Sequence, residues 1–385
     1  MIERTAHISQ LLGLITRHPV VAILGARQVG KTTLARELAA AQSESAAFFD
    51  LENPDARARL REPMLTLEPL RGLVVLDEIQ RAPEIFPVLR VLADRPNRPA
   101  TFLVSGSASP ELLRQSSESL AGRIVFHELG GFTLDEVGAT DLDRLWLRGG
   151  FPRSFLSDSD AHSLEWREAF VLTFLERDIP QLGFSIPSDT LRRFWTMVAH
   201  YHGQVWNGSE IARSLALNEA SVRRYVDLLS SALVVDQLQP WHENLSKRQV
   251  KSPRVFVSDS GLLHALLGIE TLDELHGHPK LGASWEGFAI RQVVRQLGLR
   301  TEDCFFWATH AGAELDLLVV RGRKRWGFEF KRTSQPAMTK SMVIAMENLS
   351  LRNLTVIHAG PDAFALAKNI QAVPLRDIGE QLSLD

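Results

Sequence analysis

The stretch Gly25–Thr33, reading GARQVGKTT, constrains the fold of this chain more than any other. It follows an apolar run, Val20 to Leu24, and opens a helical pattern that includes Leu34, Ala35, Leu38 and Ala39. A buried strand, a glycine-bearing turn and a helix start are the setting that a phosphate-binding loop requires. Gly25 and Gly30 permit backbone angles that strain a residue with a Cβ, so successive N–H groups can curl around a phosphate. The expected nucleotide-binding set is Gly25, Ala26, Arg27, Gln28, Val29, Gly30, Lys31, Thr32 and Thr33. Lys31 would reach the β- and γ-phosphates, and Thr32 would offer its hydroxyl to Mg²⁺.

At 385 residues the chain is long enough for two or three domains. Its net charge of −3 excludes a molecule that is basic throughout, so any nucleic-acid contact must come from a local face. The single Cys304 excludes an intrachain disulfide and a cysteine-built zinc site, which fits a reducing cytosol. The first twenty residues carry Glu3, Arg4, His7 and Arg17 among leucines and isoleucines, an amphipathic helix and not a signal peptide. No apolar run approaches the length of a membrane span, and a soluble, cytoplasmic protein is expected.

Beyond the glycine loop, residues 46–51, Leu73–Leu76, Thr101–Val104 and Ile124–Leu129 read as further buried strands. The run from Leu73 stops at Asp77 and Glu78. At the carboxyl end of a strand, Asp77 would hold Mg²⁺ and Glu78 would polarise the attacking water; an acidic cap on the next helix is the competing reading. Ser105 follows the fourth strand, where a hydroxyl would meet the attacking water or the γ-phosphate, or merely belong to a turn. A helix is expected over Pro110–Leu120. Arg123, just ahead of the fifth strand, is the candidate finger toward a neighbouring subunit's ATP, against the alternative of a surface arginine.

With GARQVGKTT, LVVLDEIQ, SLAGR, LRGGFPRSFL and FLERDIPQL in hand, the chain resembles the AAA superfamily of P-loop ATPases. It looks like a prokaryotic group of ATP-binding proteins with a C-terminal domain of unknown function. The resemblance implies ATP at Gly25–Thr33, with Asp77 and Glu78 beside it.

Residues 160–178 read as a helix after the break at Gly149-Gly150-Phe151-Pro152, and a helical lid is expected there. A helix capped by Ser209, a break at Asn218, a second amphipathic helix over Ala220–Leu233 and a strand over Leu233–Leu238 read as a winged helix-turn-helix. Arg223 and Arg224 on the second helix, and Lys247, Arg248, Lys251 and Arg254 in the wing, would supply phosphate contacts to DNA or RNA. A winged helix that serves only for packing remains open.

Near the C-terminus, a helix over 284–298 carries Glu286, and three antiparallel-looking strands follow at Phe305–Ala308, Ala313–Val320 and Trp326–Lys331. Asp316 interrupts the apolar middle strand, and alternation puts Glu329 and Lys331 on one face of the next. An acid, then Glu-x-Lys on its hairpin partner, plus a helical glutamate, is similar to the PD-(D/E)XK nuclease superfamily, although Leu315 and not proline precedes Asp316. The resemblance implies a second metal site at Glu286, Asp316 and Glu329, with Lys331 positioning the attacking water. An ion pair on a half-exposed sheet competes with it. His200, His202 and His310 are expected to be ordinary packing or surface residues.

The expected fold is α/β: an AAA-type parallel-sheet ATPase core over 1–140, a helical lid over 141–189, a winged helix over 190–258 and a PD-(D/E)XK-like α/β domain over 259–385. The expected activity is Mg²⁺-dependent ATP hydrolysis on or near nucleic acid, in a homo-oligomer. The alternative is a regulatory or scaffold ATPase that binds a protein partner through a nuclease-like domain without activity.

Overall fold

Val20–Gly25 (β1) is buried at every position, as a strand covered on both faces must be. The computed structural model describes residues 2–42, 46–107, 118–181, 184, 186–242 and 251–384. It divides into one unit of Met1–Gly131 with Ser231–Leu233, and a second of Phe132–Ser230 with Val234–Asp385.

In the first unit, Thr5–Arg17 forms helix α1, β1 follows, and Lys31–Ala40 forms α2. Strands β2 (Ala47–Asp50), β3 (Gly72–Asp77), β4 (Ala100–Ser107) and β5 (Ile124–Glu128) complete a parallel sheet in the order β2-β3-β4-β1-β5. Helix α3 (Ile85–Ala93) sets Ile85, Phe86 and Leu89 against Val74, Leu76, Phe102 and Val104 of that sheet. Each such side chain contributes about 1.5–3 kcal/mol by leaving water. The helix expected from Pro110 lies mostly outside the described residues; residues 118–120 are helical. β4 lies between β1 and β3, with Ser105 opposite Ile23 and Val104 opposite Leu76.

The second unit includes α4 (Leu142–Arg148) and α5 (Asp160–Thr173), the latter running into a π-helical turn over Phe174–Asp178. The helices expected as a lid to the ATPase core therefore belong to the second unit's packing. Next come α6 (Ser188–His200), β6 (Gln204–Val205), α7 (Gly208–Leu215), α8 (Glu219–Ser231), β7 (Val235–Pro240) and β8 (Arg254–Val257). The cap of α7 is Asn207, whose Oδ1 accepts from Glu210 N, and not Ser209, whose hydroxyl donates to Glu219. After α9 (Ser260–Leu267) and α10 (Leu281–Gln296) come β9 (Cys304–Ala308), β10 (Glu314–Arg321), β11 (Lys324–Lys331), α11 (Lys340–Asn348), β12 (Asn353–His358), β13 (Phe364–Ala367) and β14 (Ile370–Pro374). All nine strands form one sheet, ordered β13-β14-β12-β11-β10-β9-β7-β8-β6. The join is a short parallel pairing of β7 with β9, Gln239 opposite Phe305 and Pro240 opposite Phe306.

The LRGG stretch is a packing device. Gly149 has φ 75°, and a Cβ there would lie 2.0 Å from Asp259 Oδ1. Asp259 Oδ2 accepts from Gly150 N at 2.7 Å, while Oδ1 caps α9 through Leu262 N. Gly261 leaves no room either, since its Cβ would meet Arg148 O at 2.1 Å. Arg167, fully buried, donates to the carbonyls of Ser163, Leu147 and Gly261.

Candidate nucleotide site and carboxylate cluster

The glycine loop leaves the carboxyl end of β1 with Gln28 at φ 65° and Gly30 at φ 98°. A Cβ on Gly25 would lie 2.4 Å from Leu129 O, so only glycine fits that first turn. Lys31 is 4% exposed and donates through Nζ to Gly25 O at 3.1 Å and Ala26 O at 2.9 Å. Burial lowers its pKa, opposed by the charges of Glu78 and Asp77. Thr32 is half-buried and Thr33 exposed at the start of α2.

Asp77 closes β3, 1% exposed, and accepts a hydrogen bond from the Ser105 hydroxyl on β4. Ser105 thus orients the Asp77 carboxylate, a role distinct from the expected contact with water or phosphate. Glu78 stands at φ 58° and ψ 47°, a conformation that costs on the order of 1–3 kcal/mol for a residue with a Cβ. Its carboxylate accepts from Gln80 Nε2, and burial raises its pKa against the pull of Lys31. Residues missed from the sequence also shape the loop: Arg4 donates to Gly130 O at 2.9 Å and reaches Val29 O at 3.5 Å. The residues fit a triphosphate, because the turn is glycine-bound, left-handed where it must be, and backed by a buried ammonium. Thr32 and Asp77 are the groups that would hold Mg²⁺.

Arg123 is not brought to this site within the chain. Its carbonyl accepts from Val20 N at the opposite end of β1, roughly 17 Å of extended strand from Gly25. There it pairs with Asp94 through two hydrogen bonds of 2.7 and 2.8 Å.

In the second unit, Glu286 on α10, Asp316 on β10, and Glu329 and Lys331 on β11 come together. Lys331 Nζ lies 2.8 Å from Glu329 and 3.7 Å from Asp316, and Phe330 N donates to Asp316 Oδ2 at 3.0 Å. The cluster also holds two residues outside the expected set. Arg254 of β8, 7% exposed, places Nη1 3.1 Å from Glu286 Oε1 and 3.3 Å from Asp316 Oδ1, and Nη2 2.7 Å from Glu314 Oε2. The wing role expected for Arg254 does not hold: its guanidinium is buried and paired with three carboxylates, not presented on an exposed face. Burial, reinforced by Asp316, raises the pKa of both Glu286 and Glu329. For Arg254 and Lys331 burial disfavours the charge, but the surrounding carboxylates outweigh it and both pKa values rise. The residues do not fit a metal here. A guanidinium lies among the carboxylates, and among the described residues no group of three or more His, Cys, Asp or Glu is placed to hold one.

Arg223 and Arg224 are exposed on α8, and Lys251 is exposed ahead of β8. Lys247 and Arg248 lie outside the described residues. His202 is buried, accepts from Val257 N at 3.0 Å and takes no part in a metal group. No helix among the described residues is long and apolar enough to cross a membrane.

A parallel five-stranded sheet with a glycine loop after β1 and Asp77 at the end of β3 is the core of a P-loop nucleoside triphosphatase. Residues 17–138 match the family model described as an AAA domain. Residues 139–273 and 281–378 match two models described as domains of unknown function, DUF8612 and DUF4143. Two curated relatives, "Uncharacterized protein Rv2008c" of Mycobacterium tuberculosis and "Uncharacterized protein Mb2031c" of Mycobacterium bovis, are each 48% identical over 385 residues, all of this chain and 86% of theirs. Among solved structures, the Walker-type ATPase PABY2304 of Pyrococcus abyssi is 16% identical, with a TM-score of 0.49 over 69% of this chain and 96% of that one. RuvB of Thermotoga maritima, a Holliday junction branch migration motor, is 18% identical, with a TM-score of 0.31 over 61% of this chain and 90% of that one. The chain belongs to the family of these mycobacterial proteins, and its own AAA domain and C-terminal DUF4143 domain make it an AAA-superfamily ATPase.

Proposed function

We propose that this chain is a Mg²⁺-dependent ATP-hydrolysing switch whose first unit carries the chemistry. The main-chain N–H groups of residues 26–31 grip the triphosphate, and Lys31 exchanges its loop carbonyls for phosphate oxygens. Thr32 and Asp77, the latter oriented by Ser105, would hold Mg²⁺, which would supply charge neutralisation at the phosphates. Glu78 takes the proton of the attacking water as ATP and water become ADP and phosphate. The observation that carries this reading is the convergence of a buried Lys31, held on the carbonyls of its own loop, with the charges of Glu78 and Asp77, which oppose the effect of burial on its ammonium. Glu78→Gln is expected to keep ATP affinity and slow turnover on the order of 10²–10⁴-fold; unchanged turnover removes Glu78 from the role of base. Arg123 acts, in this reading, on a neighbouring copy's ATP within a homo-oligomer in the cytoplasm.

For the second unit the domain reading stays that of a winged helix over 190–258 and a PD-(D/E)XK-like domain over 259–385. Support comes from the succession α6, β6, α7, α8, β7, β8, with β6 antiparallel to β8, and from Asp316 and Glu329–Lys331 on paired strands. The exposed Arg223, Arg224 and Lys251 favour a phosphate backbone as partner. Arg254 favours the version in which the nuclease-like domain does not cleave and serves the ATPase as a binding platform. Incubation with single- and double-stranded DNA and RNA, with Mg²⁺ or Mn²⁺ and with or without ATP, separates the versions. Cleavage lost in Asp316→Ala and Lys331→Ala supports a nuclease; salt-sensitive binding without cleavage supports the platform.

A further inference from the structure

Six charged side chains meet on one side of the second unit's sheet: Arg254, Glu286, Glu314, Asp316, Glu329 and Lys331. Glu314 and Asp316 are two residues apart on β10 and so share a face. Buried carboxylates at this density repel one another and must either take up protons or hold a cation. Lys331 serves the Glu329 side at 2.8 Å but stands 3.7 Å from Asp316. The other side is served by Arg254, which touches Glu286, Asp316 and Glu314 at once. Its guanidinium also lies over the Phe306 ring, 5.1 Å from the centroid, a contact suited to a planar, weakly hydrated cation. The ring, itself fully buried, backs the group.

We propose that Arg254 is the resident cation of this cradle and that a divalent ion and the guanidinium are mutually exclusive occupants of it. The carboxylates on α10 and β10 are those a bridging metal would use, and β8 delivers a fixed positive charge into their midst instead. The unit then holds no divalent ion, and the arginine pins β8 to α10 and β10. The inference rests on the nuclease-like reading of β10 and β11 for the ancestry of the cradle; the exclusion itself rests on the distances.

Mn²⁺ binding to nucleotide-free full-length protein, followed by electron paramagnetic resonance of the free ion, tests it in an Asp77→Asn background that silences the first unit's metal position. No cleavage is scored, so failure of the nuclease reading does not move the result. The parent protein is expected to bind no Mn²⁺ at the cluster, and Arg254→Met to gain one ion with a dissociation constant on the order of 10⁻⁴ M, lost again on adding Asp316→Asn. Arg254→Lys keeps the charge and is expected to gain none. Mn²⁺ binding by the parent that disappears with Asp316→Asn overturns the proposal, as does a folded Arg254→Met that binds none. Should Arg254→Met fail to fold alone, Mn²⁺ present during refolding is expected to restore the native tryptophan spectrum, and no recovery overturns the proposal.

Discussion

Lys31 Nζ donates to the carbonyl oxygen of Ala26 at 2.9 Å, so the ammonium is satisfied by the very loop it serves. A triphosphate replaces those neutral acceptors with charged oxygens, whose hydrogen bonds are roughly twice as strong. Lys31→Ala is therefore expected to lower ATP affinity by about 100-fold or more, equivalent to about 2.7 kcal/mol. Isothermal titration with a non-hydrolysable ATP analogue and Mg²⁺ measures it, and an unaltered dissociation constant would place the nucleotide elsewhere.

Ser105→Ala removes the donor that orients Asp77 while leaving the loop intact. A buried acceptor left unsatisfied costs about 1–3 kcal/mol. Turnover is expected to drop on the order of tenfold, with ATP affinity changed little, because the carboxylate and not the phosphate loses its partner. A loss confined to affinity would assign the hydroxyl to the nucleotide.

Gly149→Ala and Gly261→Ala each force a methyl group into atoms 2.0–2.1 Å away. Relief requires moving Asp259 from its cap or the 148–149 backbone from α9. Each variant is expected to destabilise the second unit by more than about 2 kcal/mol. All eight tryptophans lie between Trp146 and Trp326, so tryptophan fluorescence in urea reports that unit alone. Unfolding curves that superimpose on the parent's would show that the stretch is not the packing device described.

His264 is fully buried: Nδ1 faces Leu147 O at 2.9 Å and Nε2 faces the Ser284 hydroxyl at 2.7 Å, which also accepts from Trp146 Nε1 at 3.0 Å. A carbonyl oxygen can only accept, so Nδ1 carries the proton and Nε2 accepts from Ser284. Burial lowers the His264 pKa to about 3. The unfolded chain, near 6.5, thus binds more protons than the native one, and the stability from neutral His264 is complete above pH 6.5 and is lost as pH falls toward 3. The stability advantage of wild type over His264→Gln is accordingly expected to shrink between pH 7 and pH 5, by up to about 1.4 kcal/mol per unit. An advantage that does not vary with pH would mean that the imidazole titrates alike in the folded and unfolded chain.

Much of the first unit was legible because its signals are local. Val20–Gly25 and Gly72–Asp77 are apolar runs with abrupt polar ends, and the glycine turn lies where the chain must leave a strand for a helix. Ser105 is expected just past its strand and instead lies within β4, and its contact with Asp77 depends on β4 entering the sheet between β1 and β3, a register no local pattern encodes. In the second unit, the alternation of Glu329 and Lys331 read correctly as one face, and the same rule applied to β10 would have brought in Glu314 beside Asp316. Arg254 could not be read: an arginine three residues beyond Lys251 looks like part of a basic wing, and only the fold buries it under carboxylates from 32 to 62 residues away. The nine-stranded sheet was equally hidden, since its join pairs Gln239 with Phe305 across a long span of helices.

That join has a practical consequence. A fragment ending at residue 258 would strip β7 of its β9 neighbour and leave an open row of N–H and C=O groups facing water, a template for aggregation. A fragment beginning at 259 would expose the matching border of β9 and abandon four carboxylates without Arg254. Dissection of the protein between residues 258 and 259 is therefore expected to yield two insoluble halves, whereas coexpressing them would let the missing neighbours find each other.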